Sequence, residues 1–141
     1  MDVEMRSDPF HLEMTIGSDT SYLAALRSLV EAFLKRAGAG LFRKSFVIAC
    51  SMAMVEAVNN AIFHAHRNRT SLPIKIAMAV REGSVIMDVF DTGGGVDELK
   101  TAEPEPYVSH GRGLLIIRDA MTHVSSKVQG GWHRFRMVRT I

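Results

Sequence analysis

Cysteine is nearly absent from this sequence: Cys50 is the single one among 141 residues. An internal disulfide is therefore excluded, and a thiol in an apolar stretch reads as a small core residue of a protein kept in a reducing compartment. Excess charge is also scarce. Seventeen Lys and Arg against fifteen Asp and Glu leave a net charge of +2, too little for the long-range field that draws a protein to nucleic acid. No uninterrupted apolar run approaches the roughly 20 residues that span a bilayer, so no membrane contact is expected. The opening MDVEMRSDPF carries acids and a proline where a secretory leader has basic residues and an apolar core. These absences point to a cytoplasmic protein. Repeats and low-complexity tracts are lacking too. With 47% hydrophobic and 23% charged residues, the chain suits one globular domain over residues 10–141 behind a flexible N-terminus, residues 1–9.

The periodicities that are present alternate between strand and helix. Leu12, Met14 and Ile16 recur every second residue, as in a half-buried strand that Gly17 ends. Ser18, Asp19 and Thr20 offer N-cap oxygens to a helix carrying Leu23, Leu26, Leu29, Val30, Phe33 and Leu34, closed by Gly38 and Gly40. Residues 43–66 form a long helix with an apolar stripe of Val47, Met54, Val58, Ala61, Ile62 and Ala65. Ile74 to Val80 and Val85 to Val89 alternate on either side of Glu82-Gly83, the pattern of an antiparallel hairpin. Residues 92–110 are a long irregular loop. A helix over 113–121 follows, then a second hairpin turning at Gly130-Gly131. Three helices beside such strands make an α+β, two-layer α/β sandwich, its largely antiparallel mixed sheet carrying the helices on one face.

Three segments can carry chemistry. On the long helix, Glu56, Asn60 and His64 fall at i, i+4 and i+8 and share a face, with small Ala53 and Ala57 leaving room beside it. The carboxylate suits a base, and the amide oxygen suits Mg2+, a hard cation. Neighbouring Asn59 and Asn60 are unusual in mid-helix, where asparagine is a mediocre former. In the second segment, Asp91-Thr-Gly93-Gly-Gly95, strand alternation points Asp91 toward the helical layer. A buried carboxylate needs donors, and the exocyclic amine of a nucleobase is one. The third, Gly111-Arg112-Gly113, opens a helix whose free amides and dipole favour an anion, with Arg112 as an added cation. It is neither a Walker A loop nor a dinucleotide fingerprint. Each segment also has a plain reading, as a solvated stripe, an Asp-Gly turn and a flexible helix entry.

In this order the three segments resemble the Bergerat-fold ATPases of the GHKL superfamily. The forms Glu56-Ala-Val-x-Asn60-Ala-Ile-x-His64 and Gly113-Leu-x-x-Ile-x-x-x-Met121 are most similar to those of the bacterial anti-sigma factor serine-protein kinases. The resemblance implies that Asn60 holds Mg2+ on the ATP phosphates and that Glu56 is the base for the attacking hydroxyl. It implies that Asp91 takes the adenine amine, that Gly93 and Gly95 shape the base pocket, and that Gly111 and Gly113 deliver backbone donors to the phosphates, beside the cation of Arg112. Residues 96–110 become a lid. The implied partners are an anti-anti-sigma protein of STAS type as substrate, a sigma factor to sequester, and a second copy in a homodimer. Two departures stand out. Gly131-Trp132-His133 lacks the threonine usual before the last strand, and Glu103-Pro-Glu105-Pro puts acids in the lid. They favour, as the alternative, a regulator of the same fold that binds nucleotide or docks without catalysis; a histidine-kinase ATPase domain is the remaining reading.

Other features read as packing. His64 and His66, at i and i+2, point to different sides of a helix and do not make a zinc pair. Met14, Met54, Met78, Met87 and Met137 sit at core positions. Arg134, Arg136 and Arg139 read as a solvated strand face.

Overall fold

A computed structural model describes residues 10–67, 69–93 and 109–141, the side chains of 109–111 excepted. Five strands form one sheet in the order β1-β2-β3-β5-β4: β1 His11–Gly17, β2 Pro73–Arg81, β3 Ser84–Asp91, β4 His123–Gln129 and β5 Trp132–Thr140. Every pairing among them is antiparallel, so the sheet is simpler than the mixed one the sequence suggests. The helices are α1 Leu23–Ala37, entered through a 3-10 turn at Thr20–Tyr22, α2 Lys44–Asn60, and α3 Ser109–Ala120.

The turns explain the two hairpins. Glu82 and Gly83 have φ of 39° and 81°, and Gly130 and Gly131 have φ of 58° and 80°. Two successive left-handed residues match the right-handed twist of the flanking strands. Asp19 caps the first helical turn by accepting the Ser21 N–H at 2.9 Å. Leu26, Val30 and Leu34 of α1 and Val47, Cys50, Met54 and Val58 of α2 are buried against Ile74, Ile76, Met78, Val85, Met87, Val89, Phe135 and Met137 of the sheet. Four of the five methionines placed in the core by pattern are fully buried there, and Met14 is half-buried beside them. At ~1.5–3 kcal/mol per buried large apolar side chain, this layer is the main source of cohesion. The helix running from Lys44 to Ala65 is long and apolar enough to cross a membrane, yet Val47, Cys50, Met54, Val58, Ala61 and Ile62 along it are buried in the core, while Met52 and Phe63 are exposed.

The three C-terminal arginines do not share one solvated strand face. Arg136 makes a two-pronged ion pair with buried Asp88, its Nε and Nη2 2.8 Å from the two carboxylate oxygens. Arg139, of opposite parity, turns to the helical side, where it donates to the Ala120 carbonyl and stands over the Phe46 ring. Strand alternation separates them, since residues an odd number apart lie on opposite faces.

Candidate functional site

Helix α2 does not continue as an α-helix through the polar residues. At Asn60 it widens into a π turn over Ala61–Ala65, closed by the His66 N–H donating to the Ala61 carbonyl at 2.9 Å. Such turns insert an extra residue and are frequent at functional sites. The expected i, i+4, i+8 face therefore breaks after Asn60: Asn60 is 7% exposed, whereas His64 is exposed. Ala53 and Ala57 belong to the core, so their small size serves packing and not ligand access.

Glu56 and Asn60 stay together, one turn apart, and Gly113 of α3 lies over both. A methyl group at Gly113 would stand 2.7 Å from Glu56 Oε2 and 3.3 Å from Asn60 Oδ1. Glycine lets the helix approach this closely without displacing the Glu56 carboxylate. Asn60 Oδ1 is buried and has no hydrogen-bond partner among the described residues. A buried carbonyl oxygen left unpaired costs about 1–3 kcal/mol, and such an oxygen is the donor type that Mg2+ takes. The residues present thus fit a magnesium ion. Helix α3 begins at Ser109, four residues before the expected start at Gly113, which puts Gly111 in its first turn and leaves Arg112 exposed beside it.

Asp91 ends β3 and is 2% exposed, facing the helices as alternation requires. Its Oδ1 accepts the Gly93 N–H at 2.9 Å, and its Oδ2 lies 3.2 Å from His133 Nδ1. His133 sits directly opposite Asp91 across the β3–β5 ladder, is 1% exposed, and hydrogen-bonds Ser126 Oγ of β4 through Nε2. A histidine backed by a hydroxyl thus stands where a lone threonine was missed. A carboxylate offers about four acceptor sites, so Asp91 keeps capacity for a further donor.

The Asp91-Thr92-Gly93 turn is held on the π turn by two devices. Gly93 lies so close to Ala65 that a Cβ there would come within 2.5 Å of the Ala65 carbonyl oxygen. The Thr92 N–H donates to His66 Nε2 at 3.0 Å, and the His66 ring is wholly buried. Burial holds the His66 imidazole below its ordinary pKa, with Arg69 acting the same way and Asp91 opposing. Neither His66 nor His133 was picked out as a site residue by pattern. Gly95 and residues 96–108 of the expected lid lie outside the described residues.

Comparison with known proteins agrees with the fold. The model of the histidine kinase-like ATPase domain matches residues 16–138. The anti-sigma F factor of Clostridium botulinum (strain Eklund 17B / Type B) is 36% identical over 53 residues, a match covering 37% of this chain and 37% of that protein. The crystal structure of the RsbU and RsbW domains of Rv1364c from Mycobacterium tuberculosis superposes with a TM-score of 0.65 at 16% identity. That superposition covers 92% of this chain and 32% of the other, and it is a likeness of fold.

Proposed function

This chain belongs to the histidine kinase-like ATPase domain family, and from that premise we propose that it is an ATP- and Mg2+-dependent serine-protein kinase acting as an anti-sigma factor. Its substrate is an anti-anti-sigma protein of STAS type, and in its free state it sequesters a sigma factor. The observation that supports this best is the convergence of Glu56, unpartnered Asn60 Oδ1 and Gly113 at one point. The similarity to an anti-sigma F factor supports the choice of partners.

In this reading Asp91 accepts the exocyclic amine of adenine while His133 and the Gly93 N–H hold its carboxylate. Gly93 and Gly95 leave room for the flat base. Gly111 and Gly113 bring the start of α3 to the phosphates, and Arg112 lies within the same turn as a cation for the terminal one. Asn60 Oδ1 holds the metal, which when bound offsets phosphate charge. Glu56 takes the proton of the incoming serine hydroxyl as its oxygen bonds to the γ-phosphorus and the bond to ADP breaks. Positioning and charge neutralisation carry most of the acceleration in such transfers.

A second reading is favoured by the Asp91–His133 pair: with both oxygens of Asp91 already engaged, the turn acts as a structural lock in a regulator that docks without turning over nucleotide. Labelled ATP separates the two. Mixed with Mg2+ and the STAS-type protein encoded nearest its gene, the chain is expected to place label on serine of that protein. A folded sample that binds the partner and transfers no label leaves the docking regulator standing.

A further inference from the structure

His66 has both ring nitrogens committed, and its neighbours fix which one carries the proton. Ser18 Oγ donates to the Leu72 carbonyl at 2.7 Å, so its single hydrogen is spent. Toward His66 Nδ1, 2.5 Å away, Ser18 can then only accept, which places the hydrogen on Nδ1. On the other side the Thr92 N–H points at Nε2, which must therefore present a lone pair. The imidazole is neutral, in the Nδ1–H form, and bridges the end of β1 to the turn after β3. A proton added at Nε2 would face the Thr92 N–H at 3.0 Å. Thr92 Oγ1, 3.1 Å from Nε2, can take that new hydrogen only if the turn rotates, because the backbone N–H otherwise stays opposed to a cation.

We propose that His66 is a positioning residue of the base pocket: its neutral form clamps the Asp91-Thr92-Gly93 turn onto the π turn, and protonation at Nε2 releases it. Resting on the ATP reading above, this makes nucleotide binding dependent on loss of a proton from His66. Asp91 touches the ligand, and His66 acts through Asp91's turn.

The groups facing His66 set the direction. Burial disfavours the imidazolium most, Asp91 on β3 favours it, and Arg69, whose Nε donates to the His66 carbonyl at 3.0 Å, disfavours it. Ser18, just after β1, and Leu72, from the loop before β2, are neutral, and His133 of β5 stands 3.2 Å from Asp91 Oδ2. The folded value lies below the ordinary one of about 6.5, so affinity is full near neutrality and falls as pH drops through the folded value. The limit is about tenfold per pH unit for one proton.

The test has two arms. In the first, without nucleotide, the His66 ring nitrogens and the Thr92 amide are followed by NMR from about pH 7.5 downward for as long as the domain stays folded. A bare Nε2 near neutrality, with both signals titrating together, is expected; a hydrogen on Nε2 near neutrality, or a Thr92 amide indifferent to His66, overturns the clamp. In the second, ATP affinity is measured over the same range for wild type, His66→Gln and His66→Phe. Glutamine carries an acceptor for Thr92 that does not titrate, so it is expected to restore most of the affinity lost in His66→Phe and to flatten the profile. If His66→Gln keeps the wild-type profile, another group such as His133 carries it and the proposal is overturned. A wild-type chain that binds no ATP at any pH refutes the ATP reading, while the NMR arm still decides the clamp.

Discussion

Replacing Gly93 by alanine isolates the contact between the Asp91 turn and the π turn. The new methyl would lie 2.5 Å from the Ala65 carbonyl oxygen and 2.6 Å from its Cα, against about 3.5–4.0 Å for comfortable carbon contacts. Both obstacles are backbone, so the turn must move by roughly 1 Å to make room. That displacement breaks the Thr92 N–H bond to His66 and the Gly93 N–H bond to Asp91. At ~0.5–1.5 kcal/mol each, the two losses come to about 1–3 kcal/mol. If the turn forms the base pocket, ATP affinity falls by roughly 5- to 150-fold. The assay is calorimetric titration with ATP and Mg2+, with a thermal melt to show that the domain is folded. Gly83→Ala is the control: at φ 81° with open space around it, it strains only a hairpin turn. It should lower stability by about 1 kcal/mol and leave affinity alone. Shaving the neighbour offers a second check, because Ala65→Gly leaves the obstructing backbone in place and should not rescue Gly93→Ala. A Gly93→Ala protein that binds ATP within about twofold of wild type, well under 1.4 kcal/mol, would refute the reasoning.

Two further outcomes follow from the same structure. Glu56→Gln keeps shape and polarity but cannot take a proton, so phosphate transfer to the partner should fall about 10²–10⁴-fold while ATP affinity is retained; both are read with labelled ATP and calorimetry. Burial pushes the Cys50 thiol up to about 12, so near pH 8 only roughly one thiol in 10⁴ is ionised. A thiol reagent should therefore label the native domain only as fast as it opens, and labelling at the rate of a free thiol would contradict the packing of α2.

Most of the architecture was readable because hydrophobic period dominates it. The two hairpins, both turns and the inward positions of Val85, Met87, Val89 and Asp91 follow from strand alternation, and the structure keeps them. Boundaries were less readable: α3 starts at Ser109, where residues 109–112 carry no apolar period to mark a first turn. The site was readable as far as Asn60. Beyond it, the π turn changes the angular step, so no α-helical wheel places Ala65 or His66 correctly. His133 shares the parity of Phe135 and Met137, which was a usable sign that it points inward beside Asp91. The pairing of His66 with Ser18 and Thr92 spans 48 and 26 residues and has no local signature.

The central claim is that this site binds ATP through a metal held by Asn60. It is tested most directly by titrating wild type and Asn60→Ala with ATP, in Mg2+ and in a chelator. Wild type is expected to bind at least about tenfold more tightly with Mg2+, or ~1.4 kcal/mol. Asn60→Ala should stay folded, since it removes an acceptor that has no partner among the described residues, and should lose that increment. Absence of ATP binding in a folded wild-type sample, or an Mg2+ increment that survives in Asn60→Ala, would contradict it.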